Sequence, residues 1–170
     1  RLRVDNTPVT FQDRRLGSFS EILPETCGDF VLRRGDGLYA YQLAVVVDDA
    51  DQRITDIVRG ADLLDSTARQ IFLQQQLGVP TPAYLHLPVA LNAEGHKLSK
   101  QTNAPPVDTA GCPATLARAL RFLGIPVSAD TARGSCRGLL EFALSVTGGK
   151  LGRPAISEPA ASRPGEPARN

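Results

Sequence analysis

The order strand, helix, strand between residues 54 and 91 constrains this chain more than any other feature. Residues 54–58, Ile-Thr-Asp-Ile-Val, read as a short strand that ends at Arg59-Gly60. A helix follows, because Leu64, Ala68, Ile71 and Phe72 recur at helical spacing and form one apolar face. Thr67 and Gln70 fit a capping box for its start, with Ser66 as a rival cap. Gly78 and Pro80 stop it. The apolar segment 84–91 then supplies a second strand. Strand, helix and strand in this order imply an α/β unit built on a parallel sheet.

At 170 residues the chain has room for one substantial core and a small appendage. Its 19 basic and 18 acidic residues leave a formal charge of +1, so no global basic field points to nucleic acid. Any such surface must come from local clustering. No apolar run approaches the ~18 residues of a membrane span, and no charged-then-apolar leader is visible. Cys27, Cys112 and Cys136 are far apart in sequence and odd in number, and His86 and His96 complete no ligand cluster. A disulfide framework or zinc site within the chain is not expected; the cysteines read as free thiols of a cytoplasmic protein. The chain has no methionine and begins at Arg1. Its first residues read as two hairpin arms, 2–4 and 9–12, around Asn6-Thr-Pro8. They do not read as the opening of a domain, so the chain is expected to be the C-terminal part of a longer protein.

Residues 29–33 are a strand candidate, and Arg34-Gly-Asp-Gly37 is a turn signal. Residues 38–49 are ambiguous. Their β-branched run favours a strand, while Leu43, Val46, Val47 and Ala50 also fit one helical face. Past the second strand comes a polar loop, Lys97-Leu-Ser-Lys-Gln101, and a break at Pro105-Pro106. Two helices are expected beyond it, over 112–123 and 132–146. From Gly148 the composition turns to Gly, Pro, Ala, Ser and Arg, with Pro154, Pro159, Pro164 and Pro167, and reads as a disordered tail over 149–170.

Arg59 stands where a strand hands over to a helix, at the end of an open α/β sheet where ligands bind. Its guanidinium fork suits a carboxylate or a phosphate. The plain alternative is a surface arginine paired with Asp62. Tyr41 can orient a polar ligand, or can be a packed tyrosine with a satisfied hydroxyl. His86, inside an apolar segment with no nucleophile beside it, reads as packed or hydrogen-bonded. Asp48-Asp49 reads as a solvated pair. Lys97 and Lys100 can stabilise the charge growing on a leaving pyrophosphate, or can be a solvated loop. Arg33, Arg34, Arg118 and Arg121 suit phosphate contacts or simple solvation.

Taken together, Tyr41, then Val58-Arg-Gly-Ala-Asp-Leu-Leu64, Ser66-Thr67, Gln70, the Pro82-x-Tyr84-x-His86-Leu-Pro88 segment and Lys97-Leu-Ser-Lys100 follow in one order at close spacing. This set resembles the second half of the catalytic domain of class I glutamyl-type aminoacyl-tRNA synthetases, and the lysine loop is similar to the KMSKS signature of that class. The resemblance covers about residues 29–107. Within the group, Gly28-Asp-Phe-Val-Leu-Arg-Arg34, Tyr41-Gln-Leu-Ala-Val-Val-Val-Asp-Asp49 and Lys97-Leu-Ser-Lys-Gln-Thr-Asn-Ala-Pro105 are most like the branch that acts on queuosine in tRNA(Asp).

The resemblance implies an α/β fold: the second half of a Rossmann-type class I catalytic domain, with a β-rich remnant of the inserted domain and C-terminal helices. Residues 1–28 would end the inserted, acceptor-binding-like subdomain. Residues 29–107 would be the second catalytic half, 108–148 a helical segment, and 41–51 a helix against its propensity. The implied reaction activates glutamate with ATP and Mg2+ and transfers it to queuosine of tRNA(Asp), in a cytoplasmic enzyme expected to be a monomer. Tyr41 and Arg59 would contact glutamate. Lys97, Leu98, Ser99, Lys100 and Gln101 would bind ATP, with Lys97 and Lys100 catalytic. The HIGH signature and the ligands of the Zn2+ found in such enzymes are absent from these residues, so the chain alone is expected to be inactive. A truncated glutamyl-tRNA synthetase, a non-catalytic RNA-binding module and a generic nucleotide-binding α/β protein are the rival readings.

Overall fold

The computed structural model of the chain describes residues 1–99, 104–107 and 109–148. These fall into two compact units, Arg1–Pro88 and Val89–Asn170.

The first unit carries a four-stranded mixed sheet. Strands β1 (Val9–Asp13) and β2 (Gly17–Glu21) form an antiparallel hairpin. Strand β3 (Asp56–Gly60) pairs in parallel with β4 (Ala83–Leu87), and β4 meets β1 in parallel, giving the order β2-β1-β4-β3. The parallel β3–β4 pair, joined through a helix, is the arrangement its sequence pattern implies. The expected hairpin around Asn6-Thr-Pro8 is not formed. Leu2 instead exchanges backbone bonds with Phe30, at 2.8 and 3.2 Å, and the real hairpin turn is at residues 14–16. The cause is Asp13, whose Oδ1 accepts from the N–H groups of Arg15 at 3.0 Å and Leu16 at 2.8 Å. Gly17 completes the turn at φ +93°, a conformation that only glycine adopts freely. Residues 29–33 form two isolated bridges, Leu2 to Phe30 and Arg33 to Tyr39, in place of a strand. Residues 9–21 share a sheet with β3 and β4.

Helix α1 is a single turn (Leu23–Thr26), and α2 runs over Tyr41–Asp51. The helix at 41–51 overrides a strand propensity because α2 packs against the next long helix. It buries Val46, and its Gln42 side chain bonds to Ser66 and Gln70. A 3-10 segment, Ala61–Ser66, leads into α3 (Thr67–Leu77), which ends at Gly78 with φ +67°. Ala68, Ile71 and Phe72 of α3 join Val9, Leu23, Phe30 and Tyr84 in the core. Each large apolar side chain buried there stabilises the fold by about 1.5–3 kcal/mol.

In the second unit, residues 90–98 double back. Leu91 bridges Lys97, Leu98 N–H donates to Ala90 at 2.9 Å, and Asn92 Oδ1 accepts from Glu94 and His96. Helices α4 (Cys112–Phe122) and α5 (Cys136–Thr147) pack over Ala117, Leu120, Ile125, Val127, Leu139 and Ala143. The start of α5 falls at Cys136, later than the sequence pattern suggests. A 3-10 turn occupies Thr131–Arg133, and Ser135 caps the helix by accepting from Gly138 N–H at 3.1 Å. Arg121 is not a free cation, because its Nε donates to the Val127 carbonyl at 2.8 Å. Lys100, Gln101 and the tail 149–170 lie outside the described residues.

Candidate functional site

The side chain of Arg59 is the centre of a polar network on the first unit. The β3–β4 register sets Arg59 opposite His86. Arg59 Nε donates to His86 Nε2 at 3.0 Å, Nη1 to Gln70 Oε1 at 2.7 Å, and Nη2 to Thr67 Oγ1 at 2.8 Å. The guanidinium carbon also lies 5.2 Å from the centre of the Tyr84 ring. The surface pairing of Arg59 with Asp62 is thereby replaced: the fork is turned onto β4 and α3. Burial pulls the guanidinium below its ordinary pKa, with Tyr84, Tyr41, Asp49 and Asp13 acting in the opposite sense. An arginine remains charged under such a shift.

The network continues behind His86. Because Arg59 Nε can only donate, His86 Nε2 must accept, and the ring proton sits on Nδ1. Nδ1 then donates to Asp13 Oδ2 at 2.7 Å. The His86 backbone N–H donates to the same oxygen at 3.1 Å. Both residues are fully buried, so His86 is packed and hydrogen-bonded, as its apolar segment implies. Burial raises the cost of charge on Asp13, but the N–H groups of Leu16 and Arg15 and the His86 ring hold its carboxyl below the usual range. On the other side, Gln70 Nε2 donates to Gln42 Oε1 at 2.9 Å, and Gln42 Nε2 donates to Ser66 Oγ at 3.1 Å.

Thr67 and Gln70, which read as a capping box, do no capping. Among the described bonds, neither side chain serves the helix end; both accept from Arg59. A guanidinium carries five N–H donors, and three are committed here, leaving one on each of Nη1 and Nη2. The arrangement is therefore a cation clamped from behind with donors left over, suited to an anionic ligand.

Tyr41 is the first residue of α2 and is half exposed, with no hydrogen bond at its hydroxyl among the described residues. That is not the packed, satisfied tyrosine of the plain reading. Its electrostatic influence on Arg59 brings it into the same neighbourhood, along with Asp49. Burial pushes the Asp49 carboxyl up, while Arg59 draws it down. Asp49, which reads in the sequence as half of a solvated pair, acts on Arg59, and Asp13 and Gln42 join the network without a sequence reading that marked them. The Asp13-to-Gly17 turn spacing was the one local signal for Asp13; no local pattern marks Gln42. An open hollow of about 490 Å³ over the β1–β2 hairpin is lined by Thr10, Phe11, Gln12, Ser18, Phe19 and Ser20 and includes none of these groups.

On the second unit, Lys97 is exposed on the doubled-back segment, followed by exposed Leu98 and half-buried Ser99. The cysteines do not all stand apart. The Sγ atoms of Cys112 and Cys136 are 2.7 Å from each other, although all three cysteines are free thiols. Among the described residues no three His, Cys, Asp or Glu side chains converge as a metal site. No described helix is long and apolar enough to cross a membrane.

The family model for the catalytic domain of class I tRNA synthetases (E and Q) matches residues 1–136. A glutamyl-Q tRNA(Asp) synthetase of Pseudomonas syringae pathovar tomato is 51% identical over 144 residues, covering 85% of this chain and 49% of its own. One from Xanthomonas campestris pathovar campestris is 55% identical over 145 residues, with the same shares, 85% and 49%. The chain thus spans about half the length of the curated relatives it matches. Among solved structures, a glutamate tRNA ligase from Elizabethkingia meningosepticum in complex with its amino acid superposes with a TM-score of 0.60. The identity is 26%, over 80% of this chain and 31% of that one.

Proposed function

The chain belongs to the class I tRNA synthetase family of glutamate and glutamine enzymes, and from that membership we propose that it forms the glutamate-binding wall of a ligase acting on queuosine in tRNA(Asp). The observation that carries this reading is the clamped Arg59. Its three inward bonds fix the guanidinium plane, and its two remaining donors take a carboxylate of glutamate. Tyr41, half exposed and with no hydrogen bond at its hydroxyl among the described residues, orients the same ligand.

In the full-length parent, a glutamate carboxylate attacks ATP and forms glutamyl-adenylate with release of pyrophosphate. A hydroxyl of the queuosine cyclopentene diol then attacks the adenylate carbonyl and releases AMP. Lys97 and Lys100 would stabilise charge on the departing pyrophosphate, with Leu98, Ser99 and Gln101 completing the ATP-binding loop. Mg2+ enters with ATP as part of that substrate. This chain's contribution is positioning and charge; it holds no nucleophile of its own in the reaction. The domain division remains part of the proposal: residues 1–28 as the end of an inserted subdomain, 29–107 as the second catalytic half and 108–148 as a helical segment. So does the reading of the parent as a monomeric cytoplasmic enzyme.

The test uses the full-length parent. Glutamate transfer is measured onto tRNA(Asp) carrying queuosine, tRNA(Asp) lacking it, and tRNA(Glu), for the wild type and for Arg59→Ala. The expected result is transfer to the queuosine-bearing tRNA only, abolished by Arg59→Ala. Charging of tRNA(Glu) would replace this reading with a glutamyl-tRNA synthetase, and full activity of Arg59→Ala would remove Arg59 from the site.

A further inference from the structure

Cys112 and Cys136 are the first residues of α4 and α5, and no part of the Arg59 network uses them. They are 24 residues apart in sequence, yet their sulfurs lie 2.7 Å from each other. The two helices share one core, in which Ala117, Leu120, Leu139 and Ala143 are buried, so packing of the helical unit sets the separation. Ser135 fixes the start of α5 with its cap. Reagents can reach the pair, because Cys112 is exposed and Cys136 partly so. Both thiols sit at the first residue of a helix, on the same end of the α4–α5 pair. Cys27 offers an internal contrast: it lies in the other unit, where its thiol donates to the Gly28 carbonyl at 3.4 Å.

We propose that Cys112 and Cys136 form a reversible dithiol–disulfide site that closes by exchange with a low-molecular-weight disulfide. In the first step the Cys112 thiolate attacks the external disulfide. An S–S bond forms to Cys112, and one external thiolate departs and takes a proton. In the second step Cys136 loses its proton and attacks the Cys112 sulfur, expelling the second external thiol. Two protein thiols are oxidised and one external disulfide is reduced to two thiols. The hydrogen bond to Cys112 pushes the Cys136 thiol up. Closure ties the first turns of α4 and α5 together across the 24-residue loop.

The test equilibrates the full chain in mixtures of reduced and oxidised glutathione, blocks the remaining thiols, and maps linkages by mass spectrometry. The same mixtures are applied to the chain unfolded in guanidinium chloride, and to Cys112→Ser, Cys136→Ser and Cys27→Ser. The expected product is a Cys112–Cys136 link with loss of two hydrogens, at least about tenfold more favoured in the folded than in the unfolded chain. Cys27→Ser should leave it unchanged, and either partner's serine variant should stop at a glutathione adduct. Three results would each overturn the proposal: equal closure in folded and unfolded chains, persistent glutathione adducts on both cysteines of the wild type, or comparable pairing with Cys27.

Discussion

Asp13 Oδ2 accepts two bonds from His86, one from the ring Nδ1 at 2.7 Å and one from the backbone N–H at 3.1 Å. Its other oxygen closes the β1–β2 turn. One buried carboxylate therefore holds a hairpin and orients the imidazole that supports Arg59. Asp13→Asn replaces one acceptor with an amide that faces donors on either side. Losing a hydrogen bond to a charged group costs about 1.5–3 kcal/mol. The urea midpoint should fall by that equivalent with an unchanged slope. An unaltered midpoint would contradict the role assigned to Asp13.

The same carboxylate gives a pH signature. An unfolded aspartate titrates near about 3.9. The folded-state value of Asp13 is lower, because the Leu16 and Arg15 N–H groups and His86 outweigh its burial. The stability it contributes is therefore fully present above about pH 3.9 and is lost as pH falls from there through the folded value. The stability gap between wild type and Asp13→Asn should be constant near neutrality and shrink in that acid window. Urea titrations at stepped pH check this, and a gap that stays constant into strong acid would refute it.

Arg59→Lys keeps the charge but not the fork. A lysine ammonium on a single flexible stem cannot reach His86, Gln70 and Thr67 in the guanidinium geometry. The expected outcome in the full-length parent is a glutamate KM raised by about ten- to a hundredfold, the equivalent of one charge-assisted bond. Arg34→Lys, at an exposed pair with Asp36, should leave KM alone. Steady-state kinetics of the two variants separates position from charge.

Tyr84 and Gln74 form a buried pair at 3.1 Å. Tyr84→Phe alone leaves the Gln74 amide without that partner, and Gln74→Leu alone leaves the Tyr84 hydroxyl buried without one. Each should cost about 1–3 kcal/mol. The double variant should cost less than the sum, since both polar groups are gone. Additive losses in a thermodynamic cycle would show that the pair is not coupled.

Gly78 ends α3 at φ +67°, with open space where a side chain would start. Gly78→Ala should therefore destabilise through backbone conformation alone, by about 1–2 kcal/mol. Thermal melts should show a lower midpoint with no change in glutamate KM of the parent. No shift in the midpoint would mean that the helix end relaxes freely.

The elements that sequence made legible were those with local punctuation. Gly78 and Pro80 mark the end of α3, and the β3–α3–β4 order follows from them. The hairpin was misplaced because Asn6-Thr-Pro8 carries stronger turn residues than Arg14-Arg15-Leu16. The decisive group there is the Asp13 side chain, whose second partner is 73 residues away. The helix at α2 opposed its own propensity because Gln42 and Val46 answer to α3, a relation that no window of sequence contains. Arg59 and Tyr41 stood out through their place in an ordered set of motifs. The inward bonds of Arg59 were hidden by residues that also look like a helix cap. Cys112 and Cys136 were read by their spacing, and only the packing of α4 on α5 brings them together.

Thr67 and Gln70 both face Arg59 from the first turn of α3, and this makes the azimuth of that helix a functional quantity. Moving the helix by one residue would rotate both side chains by about 100° about the axis. The six-residue stretch Ala61–Ser66 therefore acts as a phase-setting spacer between strand and helix. Its length is under tighter constraint than its composition, because a single insertion there would leave the helix intact while aiming its two acceptors away from the cation.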